Sequence, residues 1–494
     1  MGAAFSRVKA VAPVLGMLII LWEISACSGA PVVTVAPMKL VPPPPEAVVE
    51  PTQEITGTQG ILMRMSARLD KNDYTGAIAL FDEIDAEEAA SAPIRLLKAS
   101  VMISGGQTSA ARTLVNEILK GDSENSEALF VLASIEKADK QESKQKQTLE
   151  RLIKTNPTHT GALIGLGDIA LRGRSFRTAA GYYDRVLATE PQNRSALTGR
   201  ADVYRRNRDP EKAEALLNQV ISLYPQWPVG WSERARLYRG KNALAQALSD
   251  MDTAKKLAPN DYWVSYDRGH ILVDMNRKQE ALEEFNRAIS LNQNYFLAYV
   301  YTAGIKEEFG DLDGAAQDYA TIVRLNPEYY FAFEGLGFHR MRQKRWAEAR
   351  DAFREAYRQA PTETAYVLLA AANWMRTLPA SAQRVGIPAD LKAFLEAAMR
   401  HIPQDSLERY VVRLYAERNG DADVAGRIDR EKNPATKARM SYYLALYYDR
   451  EGSKTLADRY FLSVKAQDQK GIPEWRLNEW AITERSLALN APAR

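Results

Sequence analysis

The chain has a single cysteine in 494 residues, Cys27, so no intrachain disulfide can form and a disulfide-stapled fold is excluded. It has four histidines, His159, His270, His339 and His401, standing far apart and without the spacing of a zinc site. It has no G-x-S-x-G and no H-E-x-x-H segment, and its acidic pairs, such as Glu307-Glu308, are neighbours that do not face one another on a helix. It has no excess of either charge, with 65 Lys and Arg against 62 Asp and Glu, whereas a general nucleic-acid binder carries a basic excess. Beyond the N-terminus it has no long apolar run, and 26% of its residues are charged, which argues against a multispan membrane protein. These absences leave no catalytic residue set, no metal site and no cofactor site to defend.

What is present is a period of 34 residues. Pro157, Pro191, Pro225, Pro259, Pro327 and Pro361 fall in one register, with Gln293 standing in once. With each unit numbered so that these prolines are place 32, place 20 holds Ala77, Ala111, Ala179, Ala213, Ala247, Ala281, Ala315 and Ala349, with Gln145 the exception. Place 8 holds Ala99, Ala133, Gly167, Ala201, Ala235, Gly269, Ala303, Gly337 and Ala371, and only Met65 is large. Place 24 is apolar throughout: Phe81, Val115, Leu149, Tyr183, Leu217, Met251, Phe285, Tyr319 and Phe353. A fixed period of this size reads as stacked supersecondary units. Each unit has two segments of helical apolar periodicity, such as Leu163, Ile164, Leu166, Ile169 and then Ala179, Tyr183, Val186, so each reads as a helical hairpin. Small residues at places 8 and 20 let the two backbones approach, place 24 fills the gap to the next hairpin, and the proline ends the second helix.

The small residue at place 8, alanine at 20, aromatic or aliphatic residue at 24, small residue at 27 (Ala254, Ala288, Ala356) and proline at 32 resemble the tetratricopeptide repeat over residues 58 to 471. The resemblance implies an all-α fold: a right-handed superhelical solenoid of about twelve antiparallel hairpins. As to function it implies little, because this scaffold hosts many.

Taken in order, residues 1 to 26 read as a targeting segment, with Arg7 and Lys9 before the apolar run Val11 to Trp22. Ile24-Ser25-Ala26-Cys27 resembles the lipobox of bacterial lipoproteins, which implies cleavage before Cys27 and its acylation; Glu23 departs from that pattern. Met1-Gly2 with Ser6 also fits an N-myristoylation pattern, which the apolar run behind it makes a chance match. Ser28 stands where an aspartate often marks inner-membrane retention, so the outer membrane is favoured over the inner, facing the periplasm. Residues 27 to 57 hold Pro31, Pro37, Pro42 to Pro45 and Pro51, and read as an extended spacer or as disordered filler.

Units then begin at Thr58, Ala92, Ser126, Thr160, Arg194, Pro228, Tyr262, Phe296, Tyr330 and Thr364. The unit over 126 to 159 is weakest, because the stretch from Lys137 is polar until Leu149; a solvated face and a hinge both account for it. Between Pro361 and Pro403 the step is eight residues too long, which puts an insertion near 378 to 388, either a binding loop or tolerated length variation. After Pro403 the units are irregular, and residues 472 to 494 read as a capping helix and tail, with Trp475, Leu477, Trp480 and Ile482 docking on the last hairpin.

Gly165-Leu-Gly167-Asp-Ile-Ala170 fits a dinucleotide pattern, but no strand precedes it and its glycines stand where helix packing needs small residues. In the family that this chain resembles, first helices line a concave wall through places 2, 5, 9, 12 and 13. Carried over, these places give Asp202, Arg205 and Arg206, then Arg236 and Arg239, then Trp263, Tyr266, His270 and Asp274, then Glu307 and Glu308, then Phe331, Glu334, Phe338, Met341 and Arg342. The wall runs from basic to aromatic with acidic rims, and exposed aromatics and arginines are the usual anchors of partners. The bland alternative is that the aromatics pack on the next helix and the arginines are solvated. Thr198, Asp202, Ser232 and Arg236 lack the lysines and asparagines of the family's carboxylate clamp, and place 6 (Gly165, Gly199, Glu233, Asp267, Gly335) lacks the asparagine ladder of its glycosyltransferases. The expectation is a non-enzymatic, lipid-anchored scaffold of the bacterial cell envelope. It would hold envelope proteins through extended segments, without nucleic acid or cofactor. The alternative is an envelope transport or polysaccharide-export component that binds a solute or polymer.

Overall fold

The computed structural model describes residues 57–71, 73–378, 387–469 and 472–485. Among them there are α-helices and one 3-10 helix, and no strand. Cys27, the segment 1–26, all but the last residue of 27–57, and nearly all of the insertion near 378–388 lie outside the described residues. The described helices form twelve successive hairpins, with the short helix Ala86–Ala89 between the first two, and a final single helix. The chain divides into two compact units, residues 1–291 and 292–494.

In the first unit the helices begin on the residues that the 34-residue period marks. The pairs are Ala92–Ser104 with Thr108–Gly121, Ser126–Ala138 with Glu142–Thr155, Thr160–Arg172 with Phe176–Thr189, Arg194–Arg206 with Pro210–Leu223, Pro228–Gly240 with Leu244–Leu257, and Tyr262–Asp274 with Lys278–Leu291. The opening pair is shorter: Thr58–Leu69, then Tyr74–Ala79 running into the 3-10 turn Leu80–Glu83. The unit from Ser126 folds like the others. Its second helix buries Gln145, Leu149 and Leu152 and turns Lys144, Lys146 and Gln147 outward.

Two local devices repeat with the period. Several first helices open on a side-chain cap one residue before place 1. Asn125, His159 and Asn193 accept from the backbone N–H of Ala128, Ala162 and Ala196 at 3.0, 3.1 and 2.9 Å. Such caps contribute about 1 kcal/mol each. Between the two helices, place 15 adopts a positive φ: Gly106, Lys140, Arg174, Arg208, Asn242 and Asn276. The next N–H then reaches back five residues, as from Ser175 to Ala170 O and from Arg277 to Leu272 O, both at 2.8 Å. This is the Schellman end of a helix, and it closes each hairpin within three residues.

The core shows what the small residues are for. The place-20 alanines 77, 111, 179, 213, 247 and 281 are fully buried, as are the place-24 rings of Tyr183 and Phe285. A methyl group on Gly167 would lie 2.7 Å from the Tyr183 ring, and one on Gly269 would lie 2.7 Å from Phe285. The smallness of place 8 therefore admits the place-24 ring of its own hairpin. Tyr183 also lies against Gly199 of the next hairpin, where a methyl would come within 2.5 Å, so this ring fills both gaps.

The second unit begins the same way, with Phe296–Phe309 and Leu312–Leu325, then Tyr330–Arg342 and Trp346–Gln359. A methyl group on Gly337 would likewise lie 2.6 Å from the Phe353 ring. After Thr364–Thr377 and Ala389–Met399, the hairpin Leu407–Glu417 with Asp421–Arg430 is short. The helix Pro434–Arg450 reaches across it and packs on Thr364–Thr377, two hairpins back. Tyr443 Oη donates to Ala365 O, Arg450 Nε donates to Met375 O at 2.7 Å, and Arg376 pairs with Asp449 at 2.9 Å. Helix Thr364–Thr377 is consequently buried without a break from Tyr366 to Met375, and one core runs from Phe333 to Ile482. The last helix, Pro473–Glu484, docks on Pro434–Arg450 and Lys454–Ala466 through Trp475, Leu477 and Ile482, while Trp480 is only partly covered.

This packing sets a stability prediction. Gly167→Ala overfills a closed gap and is expected to destabilise the chain by about 1–3 kcal/mol. Gly181, on the open side of helix Phe176–Thr189 with nothing near its added methyl, is expected to gain up to about 1 kcal/mol as alanine. Thermal melts of the two variants check this; equal shifts in one direction would contradict the packing account.

Candidate functional site

In the first unit, the first helices of four consecutive hairpins leave one cleft of about 490 Å³. Its charged lining is Asp168, Arg172, Asp202, Arg205, Arg206, Glu233, Arg236, Asp261 and Asp267, and its aromatic lining is Tyr183, Trp227 and Trp263. Of the residues expected on the wall, Asp202, Arg205, Arg206, Arg236 and Trp263 meet here. The period explains why: places 9 and 13 of one hairpin and place 2 of a later one project to the same side.

The arginines are not loose solvated charges. Asp202 pairs with Arg205 and, at 2.9 Å, with Arg206. Arg236 bridges hairpins, holding Asp267 at 2.6 Å on one side and Glu233 of its own helix on the other. Arg239 pairs with Asp274 at 2.5 Å, beyond the cleft lining. Burial alone would ease the proton off Arg236, but Asp267 and Glu233 outweigh it and hold the guanidinium more firmly charged than usual. Burial raises the Glu233 carboxyl above its ordinary value, with Arg236 opposing. Asp168 is also raised by burial, against a 2.6 Å hydrogen bond donated by Tyr183 Oη. So is Asp261, whose side chain caps helix Tyr262–Asp274 by accepting from Trp263 N at 2.8 Å.

Tyr266 and His270 pack inward instead. Their rings meet edge to face at 4.5 Å, and both contact the buried ring of Phe285 at 5.7 Å. The wall readings missed Asp168, Glu233, Asp261, Asp267 and Trp227. A signal was there: an arginine at place 9, Arg236, is followed 31 residues later by an acid at place 6, Asp267.

In the second unit several of the expected residues are drawn into the chain's own packing. Glu307 Oε1 lies 2.8 Å from His339 Nε2 and Oε2 lies 3.8 Å from Arg476 of the last helix. Glu334 accepts from Tyr366 Oη at 2.8 Å, and burial raises its carboxyl. Phe338 packs on Phe353 with centroids 5.5 Å apart. Phe331 stacks on Tyr330 yet is 53% exposed. Lys344, two residues past helix Tyr330–Arg342, approaches Glu484 of the last helix at 3.4 Å. Among the described residues no group of acids, histidines or cysteines is disposed to hold a metal ion. Gly165 and Gly167 lie inside helix Thr160–Arg172 against Leu149 and Tyr183.

Stacked helical hairpins with a charged and aromatic wall define a class of repeat proteins. Models of the tetratricopeptide repeat match residues 147–194, 164–228, 198–262, 266–330 and 306–364, and a second model of the same repeat matches 68–143. These take in more than half of the chain, which belongs to the tetratricopeptide-repeat proteins. Among solved structures, a tetratricopeptide repeat protein from Parabacteroides merdae is 20% identical over 49% of this chain and 96% of its own, with a TM-score of 0.41. PilW, described as a widely conserved type IV pilus biogenesis factor, is 20% identical over 41% of this chain and 93% of its own, with a TM-score of 0.36. YrrB, described as a tetratricopeptide protein with an unusual peptide-binding site, is 15% identical over 37% and 95%, with a TM-score of 0.27. These are likenesses of fold. No curated protein matches the chain.

His270 supplies a pH prediction. Burial, helped by Arg239, pushes its imidazole down to about 4. The unfolded chain therefore binds this proton near pH 6.5 while the folded chain does not, so stability falls as pH drops from about 6.5 towards 4. Between pH 7 and pH 5 the loss from this group is about 2 kcal/mol. His270→Phe is expected to remove that part of the slope in melts run at both pH values; an unchanged slope would show that the imidazole is not held neutral.

Proposed function

We propose that the chain is a non-enzymatic adaptor of the bacterial cell envelope, tethered by lipid at Cys27, that holds partner proteins through extended segments laid in the first-helix wall. The observation that carries the binding half is the open cleft between Asp168 and Asp267, where side chains from four hairpins converge on one volume. Its aromatic and arginine content is that of a partner surface. Three of its arginines, Arg205, Arg206 and Arg236, are paired with its own acids. The tether rests on sequence: the basic start, the apolar run Val11 to Trp22, and Ile24-Ser25-Ala26 before the one cysteine. The proline-rich residues up to 57 would act as a spacer from the lipid surface, and Ser28 favours the outer membrane.

The cleft is tested by capture from envelope extract. Trp263→Ala combined with Arg236→Gln is expected to lose partners that Arg177→Ala, an exposed change on a second helix, retains. An identical partner set for both would count against the cleft. The tether is tested with labelled palmitate: the natural chain is expected to take up label and sediment with membranes, and Cys27→Ser to do neither. A labelled Cys27→Ser chain would refute it.

A further inference from the structure

The cleft's chemistry specifies its occupant more closely, granted the binding reading above. Five carboxylates, Asp168, Asp202, Glu233, Asp261 and Asp267, line it against four guanidinium groups, Arg172, Arg205, Arg206 and Arg236. Arg172 is already drawn away, paired with Glu142 at 2.9 Å. The wall is thus acidic in balance, and burial works against the charged forms of Asp168, Glu233 and Asp261, so an arriving cation relieves it. The cleft also holds buried N–H donors without acceptors: Trp227 Nε1, on a side chain only 9% exposed, and Arg205 Nε. A buried donor without an acceptor is unfavourable, and a ligand that brings an acceptor removes the penalty. An acidic wall disfavours a carboxylate in that role and admits a neutral carbonyl. The residues that would clamp a terminal carboxylate are absent, since Thr198, Asp202, Ser232 and Arg236 occupy those places.

We infer that this cleft takes an internal, extended segment of a partner protein bearing a basic side chain, with backbone carbonyls accepting from Trp227 Nε1–H and Arg205 Nε–H and the basic group set among Asp202, Asp261 and Asp267. Trp263 in the same lining offers a face on which a guanidinium can lie. Acidic tails and free C-termini are rejected by the same charges.

The test uses the full chain and three fluorophore-labelled heptapeptides, capped at both ends and identical except for arginine, glutamine or glutamate at the centre. Fluorescence anisotropy is expected to rank them arginine, glutamine, glutamate, with at least ten-fold between the first and last. Asp261→Asn keeps an oxygen for the helix cap and removes the charge. It is expected to narrow the arginine-over-glutamine ratio by three- to ten-fold. Trp227→Phe keeps an aromatic ring and removes the N–H, and is expected to weaken all three peptides by a similar factor of three to ten. Glutamate binding as well as arginine, or affinities untouched by Trp227→Phe, would overturn the inference. If no peptide binds while capture of partners still depends on Trp263 and Arg236, the inference fails and the cleft reading stands; if capture is also indifferent to those residues, both fail.

Discussion

A methyl group added to Gly167 would sit 2.7 Å from the Tyr183 ring, and one added to Gly199 in the next hairpin would sit 2.5 Å from the same ring. The ring is therefore pressed on the backbone of two helices at once, and their separation is set by its thickness. Gly269 with Phe285 and Gly337 with Phe353 repeat the contact inside single hairpins. Because packed interiors tolerate neither gaps nor excess volume, each contact fixes the rotation of both helices about their axes. That rotation decides which places turn to the wall. The cleft depends on it: Asp202, Arg236 and Asp267 meet because the helices carrying them are held at one rotation by rings on their other side.

The turns serve the same end. A positive φ at place 15 is strained for a lysine or an arginine, and Lys140, Arg174 and Arg208 adopt it all the same. The hydrogen bond back over five residues, repeated at 2.8 to 2.9 Å from Gln107 to Arg277, holds them there. The strain is tolerated because a three-residue connection keeps the hairpin's two helices in the register that the ring contact demands.

How far this was legible in the sequence follows from which contacts lie within one period. Alanine at place 20 and the proline at place 32 stand at fixed offsets inside a unit, so they mark the hairpins, and the helices start on the residues so marked. The cap at place 34 is equally local, but Asn125, His159 and Asn193 share an acceptor and no single residue type, which hides it. The wall is harder to read, because its chemistry lies between units. Arg236 looks like a free cation until Asp267, 31 residues on, is brought to 2.6 Å. His270 stands at a wall place yet turns against Phe285, a choice made by the volume beneath it. The end of the chain was least legible. Nothing in the period announces that Pro434–Arg450 passes over a shortened hairpin to pack on Thr364–Thr377, or that Arg476 approaches Glu307.

The two units therefore use the same repeat for different ends. In residues 292–494 a later helix, Pro434–Arg450, packs on the first helix Thr364–Thr377, and wall residues enter internal pairs such as Glu307 with His339. In residues 1–291 the corresponding face is left open and carries a balanced but slightly acidic set of charges. The most direct measurement is hydrogen–deuterium exchange on the full chain, with and without a partner captured from envelope extract. Slowed exchange in Arg194–Arg206, Pro228–Gly240 and Tyr262–Asp274, with Tyr330–Arg342 unchanged, is the result that this account predicts. Protection confined to the second helices Pro210–Leu223 and Leu244–Leu257, or to Tyr330–Arg342, would contradict it.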